Sequence, residues 1–152
     1  MQNLYSLDDQ LVDAAFVADV DEVRFLLAQG GNPDARDEEG HTPLMLAAAE
    51  GNRELVRILL ESGADPNLRD PDGWSALDVA VARKMIDVAW LLVQFGADVN
   101  AQDDTGRSLL LRATLAAGAP DPMVQSLVRW GARDDSPRRR GRVPESAPRL
   151  LA

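Results

Sequence analysis

The sequence predicts an all-α solenoid in which one turn–helix–turn–helix unit is repeated along the chain, with β-turn loops joining the copies. Three observations predict it. Gly30, Gly63 and Gly96 recur at intervals of 33 residues and Gly131 follows after 35, a period at which one supersecondary unit stacks on the next. Asp37, Asp70 and Asp103 recur at the same interval and are suited to forming the loop turns. Between the loops lie short apolar stretches at helical spacing, separated in the second copy by Gly51 and Asn52.

The clearest copy is Asp37 to Arg69, DEEGHTPLMLAAAEGNRELVRILLESGADPNLR. Asp37 opens the loop, and Gly40 can take the positive φ that a tight turn demands. Thr42 is placed to cap a helix, with Pro43 at the first helical position, where its missing N–H costs nothing. Ala47 and Ala48 let that helix approach its neighbours, and Leu44 and Leu46 add apolar surface. Gly51 and Asn52 break it. Asn52 can cap a second helix carrying Leu55, Val56, Ile58, Leu59 and Leu60, which Gly63 ends as a left-handed cap.

Gly40, Thr42, Pro43, Leu44, Ala47, Ala48, Gly51, Glu54, Val56, Leu59, Leu60, Gly63, Ala64, Asp65 and Asn67 together make this stretch resemble an ankyrin repeat. The resemblance implies an ankyrin-repeat solenoid. It departs from the pattern at Met45, where the TPLH motif has a histidine that supports the turn; Asp78 stands there in the third copy and can accept a hydrogen bond instead.

The other copies vary the same plan. The first, residues 7–36, begins almost directly with a helix from about Leu7 to Ala18, in which Ala14 and Ala15 match Ala47 and Ala48. Asp19 is placed to cap its second helix, with Glu22 at capping-box spacing. Asp8, Asp9, Gln10 and Asp13 can supply the polar outer face of an amino-terminal cap. The second copy spans 37–69 and the third 70–102. In the third, Lys84 and Met85 replace Gly51 and Asn52, so the inter-helix turn lacks both its glycine and its cap and is expected to be strained. Its second helix runs from Ile86 to Phe95. The fourth, 103–134, has Leu109 in place of the proline and two extra residues around Gly118 to Pro122; Asp121 and Pro122 then start a helix that reaches about Trp130. These four units define an expected domain of 7–134, with the last as carboxy-terminal cap. Residues 135–152 carry three prolines and no helical period, and are expected to form a disordered tail.

Composition narrows function. Residues 1–135 hold 24 acidic and 11 basic residues, a formal −13, whereas 136–152 hold five arginines and one glutamate. An acidic body argues against DNA or RNA and for either a protein partner with a basic surface or simple solubility. The absence of cysteine excludes disulfides and thiolate chemistry, and a single histidine without a ligand cluster argues against a metal site. No signal peptide and no membrane-length apolar run is visible, which predicts a cytoplasmic protein. Lys84 is the only lysine, an arginine and alanine bias that fits a bacterial source. A monomer is expected, with no cofactor.

The resemblance assigns partner binding to the loop tips and the exposed side of each first helix, which line a concave groove. Carried over, the loop positions are Arg36, Glu38, Glu39 and His41; Arg69, Pro71, Asp72 and Trp74; and Gln102, Asp104, Thr105 and Arg107. The helix positions are Ala49 and Glu50, Ala82 and Arg83, and Leu115 and Ala116. His41, Trp74 and Arg107 share one loop slot. The partner-binding set is His41, Trp74, Arg107, Glu38, Glu39, Arg69, Asp72, Glu50 and Arg83, with Trp74 as aromatic anchor. Trp90 either marks a second contact surface or packs over the irregular fourth unit; the packing reading is preferred. Phe95 and Trp130 are expected to stack between repeats.

Catalysis finds little support. Ser75 and Ser108 occupy helix caps, and the glycines are repeat-spaced rather than grouped in a phosphate loop. Asp70-Pro71-Asp72-Gly73 lacks the spacing of a calcium loop and reads as a turn. The expected function is non-catalytic protein binding, as an inhibitor, immunity factor or scaffold. The alternative is a nucleic-acid or membrane-surface adaptor acting through Arg138, Arg139, Arg140 and Arg142.

Overall fold

The computed structural model describes residues 4–118 and 120–134; the expected tail, with its adaptor role, lies outside them. Among the described residues eight helices follow in four pairs: α1 (Leu7–Phe16) with α2 (Val20–Ala28), α3 (Pro43–Glu50) with α4 (Arg53–Glu61), α5 (Ala76–Ala82) with α6 (Ile86–Gln94), and α7 (Leu109–Ala116) with α8 (Pro122–Arg129). Among the described residues the extended pairing is limited to two isolated antiparallel bridges, Arg69 with Ser75 and Gln102 with Ser108, at the bases of loops. No helix there is long and apolar enough to cross a membrane.

Side-chain caps decide where most helices start. Ser6 and Asp9 form a reciprocal capping box at α1, and Asp19 Oδ1 accepts the Glu22 N–H at 3.0 Å. Thr42 caps α3, with Pro43 at the first position; Asn52 caps α4 at 3.0 Å. Each cap satisfies amide donors that the first helical turn leaves unpaired. The turn beside Met45 is held by its Sδ, which accepts the Thr42 N–H at 3.5 Å. In the next pair Asp78 does this work: its Oδ2 accepts the Ser75 N–H at 2.8 Å and the Ser75 hydroxyl at 3.0 Å.

Helix ends follow the glycine period. The Ala64 N–H donates to the Leu59 carbonyl at 3.0 Å around Gly63, and the same closure recurs at Gly31, Ala97 and Ala132. Two ends depart from it. α1 stops at Phe16, short of the expected Ala18, because Ala18 itself takes a left-handed φ of 57°. Lys84 does the same at 58°, and Met85 after it gives α6 no side-chain cap. The strain expected at that turn is therefore present.

The core runs between the two helix layers. Leu11, Leu26, Leu44, Leu55, Leu59, Leu77, Leu92 and Leu127 are fully buried, each contributing about 1.5–3 kcal/mol by leaving water. Ala14, Ala15, Ala47, Ala48 and Ala80 are buried too, keeping the first helices close. In the first three pairs those first helices pack against one another more extensively than the second helices do. α5 and α7 approach each other less closely than α3 and α5.

A polar ladder ties one loop to the next. Asp34, Asn67 and Asn100, each 33 residues on, accept the N–H groups of Asp65, Asp98 and Arg133 at 2.9, 2.8 and 2.8 Å. Arg36 donates to the carbonyls of Gly40 and Arg69, and Arg69 to that of Gln102. Gly40, at φ +86°, lies so close to Pro71 of the following loop that a Cβ there would meet its ring at 2.7 Å.

Candidate partner-binding surface

The loop turns present the expected slot of side chains. Asp37 Oδ1 accepts the His41 N–H at 2.7 Å, Asp70 Oδ1 that of Trp74 at 2.9 Å, and Asp103 Oδ1 that of Arg107 at 3.0 Å. One aspartate per loop thus fixes the backbone of one presented residue, which is the turn-forming role expected of them. His41 is half-buried and its Nδ1 lies 3.1 Å from Asp37 Oδ2. With Glu39 these two could place ligand atoms within 4.8 Å of one another, although the loop already engages both Asp37 oxygens. Glu38, Glu39 and Asp72 are exposed. Arg69 is exposed as well but shares its guanidinium with the ladder.

Trp74 does not stand free. It keeps 37% of its surface in solvent, and the Arg112 guanidinium lies 5.8 Å from its ring centroid, within cation–π range. Arg112 pairs in turn with the buried Asp78, and its Nε is 3.6 Å from Asp103 Oδ2. This Trp74–Arg112–Asp78 cluster fixes the indole against α7. Sequence reasoning found Trp74 and Asp78 but not Arg112; the signal was a lone arginine among the apolar residues of LLLRATLA. Arg107 is exposed, and among the described residues its guanidinium has no ion-pair partner.

The ends of the first helices line up as a stripe. Glu50 and Arg83 are exposed at the ends of α3 and α5. Leu115 is 68% exposed near the end of α7, and Phe16 and Val17 stand 69% and 68% exposed at the end of α1. Phe16 and Val17 lie 33 residues before Ala49 and Glu50, so subtracting the period would have found them. The stripe therefore carries apolar side chains at both ends and opposite charges between.

Between α5 and α7 the surface opens into a cavity of about 430 Å³, walled by Trp74 and Arg107 at the loop end and by Lys84 and Asp121 at the other. Lys84 Nζ and Asp121 Oδ2 are 2.8 Å apart. The Lys84 hydrogen bond holds the Asp121 carboxyl below its ordinary value of 3.8, aided by the N–H groups of Val124 and Met123 against the opposing effect of burial. At Asp103 burial acts to raise the carboxyl, yet the Thr105 hydroxyl, the N–H groups of Arg107 and Thr105, and the Arg112 charge leave it lowered.

Trp90 packs on the fourth pair: its ring stacks on Trp130 at 5.3 Å with an interplanar angle of 27°. Trp130 therefore bridges two repeats as expected. Phe95, its counterpart, leaves 42% of its surface exposed and is not part of the core.

No curated protein matches the chain. The family model described as ankyrin repeats (3 copies) matches residues 11–103, more than half of the sequence, from α1 to the loop that precedes α7. Ankyrin repeats generally mediate protein–protein interaction and are typically non-catalytic modules. Repeat period, cap chemistry, paired helices and the family model agree: the chain belongs to the ankyrin-repeat family.

Proposed function

We propose that the chain binds one protein partner through its concave surface, using the loop tips and the stripe of first-helix ends together. Residues 7–134 act as one binding domain of four units, working as a monomer in a bacterial cytoplasm. The role that fits is that of an inhibitor, immunity factor or scaffold. The observation that carries this reading is the exposure of apolar side chains at first-helix ends and in the loop slot, Phe16, Val17, Leu115 and Trp74, together with Arg107, which has no ion-pair partner among the described residues. Such a face supplies the apolar anchors and charged rim by which protein interfaces gain affinity and orientation. His41, Glu38, Glu39, Arg69, Asp72, Glu50 and Arg83 form the polar surround, and the acidic body steers a partner with a basic surface, an effect that salt weakens.

The test is affinity capture from the source cell's lysate, run with the wild-type chain and a Trp74→Ala/Arg107→Ala variant that circular dichroism shows to be folded. A protein retained by the first and lost by the second supports the reading. Equal retention, or retention of no protein, contradicts it.

A further inference from the structure

We propose that the cavity between α5 and α7 is an anchor pocket for a partner segment that inserts one bulky apolar side chain and pairs an adjacent carboxylate with Arg107. This rests on the protein-binding reading above and specifies the chemistry of the partner at one place on that surface. The volume, about 430 Å³, falls in the range of cavities that enclose a ligand group. Its apolar lining comes from Val81, Ala113 and Met123 with Leu115 and Ala116. Trp74 adds an indole face, and an aromatic guest can meet it edge to face or offset-stacked.

The pocket is held in shape before anything enters. Trp74 is fixed by Arg112, which Asp78 and Asp103 hold from below. The far wall is fixed by the bond between Lys84 and Asp121. A guest therefore meets a wall whose side chains are already ordered, which lowers the entropy lost on binding.

Charge decides what accompanies the apolar group. Five lining residues are ionisable: Asp78, Lys84, Arg107, Arg112 and Asp121. Asp78 pairs with Arg112 and Lys84 with Asp121, so Arg107 is the cation left over. The net charge of the whole chain, −9, attracts basic partners at long range, whereas at contact this pocket favours an acid. A carboxylate beside a guanidinium can make a bidentate pair.

The test is to pan a phage-displayed library of random 12-residue peptides against the full-length chain and against Arg107→Glu, Ala116→Trp and Phe16→Asp. All three changed residues lie at the surface, and circular dichroism checks each fold. The wild type is expected to enrich peptides with an aromatic or large aliphatic residue within three positions of Asp or Glu. A synthetic copy of the consensus should lose about tenfold or more in affinity to Arg107→Glu and to Ala116→Trp, which fills the cavity. Fresh panning against Arg107→Glu should select Lys or Arg in place of the acid.

Enriched peptides without an acid, affinity indifferent to Arg107→Glu and Ala116→Trp, or no enrichment would each overturn the pocket. If binding is then lost in Phe16→Asp alone, the concave face survives as the binding surface and only the pocket fails; if no variant matters, both readings fail. A wild-type dimer that Ala116→Trp dissolves would assign the pocket to a second copy. Peptide binding that tightens about tenfold on changing Leu150 and Leu151 to Asp would assign it to the chain's own C-terminal residues. Either result overturns the proposal.

Discussion

The α3–α4 turn and the α5–α6 turn occupy the same place in successive pairs and are held by different chemistry. In the first, Gly51 takes a φ of +67° without a Cβ penalty and Asn52 caps α4. In the second, Lys84 takes the same conformation at +58°, Met85 offers no cap, and the Lys84 ammonium reaches across to Asp121 at the start of α8. The first turn is closed by its own glycine and cap, while the second gains a side-chain bond to the next repeat. The same contrast holds for the surroundings. Regular buried leucines and alanines join the first three pairs; the last pair shares that core through Leu109, Ala113 and Leu127 and adds two side-chain contacts, Asp78 with Arg112 and Trp90 with Trp130. The cavity opens where the regular packing gives way.

The contrast is broken most strongly in the core. Leu59→Ala, at a fully buried site in the regular stack, should cost about 4 kcal/mol and lower the midpoint of the main urea transition. Leu127→Ala, equally buried in α8, should instead detach the last pair in a separate, earlier transition, because each repeat of a solenoid leans only on its neighbours. Coincident single transitions in both variants would remove the distinction.

Next comes the polar link. Arg112→Ala leaves the Asp78 carboxylate, 4% exposed, without its cation, although Ser75 still donates to it. The expected loss is about 3 kcal/mol, with Trp74 fluorescence shifted toward that of a solvated indole. A loss below about 1 kcal/mol would mark the pair as no stronger than a surface bridge.

How far this was legible in the sequence follows the same boundary. Thr42, Pro43, Asn52 and Gly63 act locally, within a few residues of the bond they make, so their roles could be read from order alone. Strain at Lys84 was legible too, as a missing glycine at a known position. Arg112 was not, since its partners Asp78 and Asp103 lie in other repeats and adjacency across a stack leaves no local pattern. Phe16 and Val17 escaped for a different reason: the first copy lacks its opening loop, so no loop position sets the register that points to them. Trp74 was legible as the aromatic of a loop slot, but its lateral support by Arg112 again depended on a cross-repeat contact.

Smaller effects sharpen the comparison of turns. Ala18→Gly, at a left-handed φ of 57°, should stabilise the chain by about 1 kcal/mol. Lys84→Gly relieves the same strain but gives up the bond to Asp121, so it should gain less in thermal unfolding; an equal gain would show that the bond contributes nothing. Acid provides the last lever. The Asp121 carboxyl titrates below 3.8 in the folded chain, so the unfolded chain binds protons more readily. The stabilisation is complete above that pH and is lost as pH falls through the lowered value. Trp90–Trp130 fluorescence should report loosening of α8 on acidification below about pH 4, and Lys84→Met should reduce the effect.

The most direct test of the central claim, that partners bind the concave face, is site-specific photocrosslinking in the source cell with benzoylphenylalanine placed at Ala82 or at Arg57. Ala82 is exposed near the end of α5, and Arg57 is exposed on the second-layer helix α4. The account predicts a discrete protein adduct from position 82 and none from position 57. An adduct from 57 without one from 82 would contradict it and move the binding surface to the second helices.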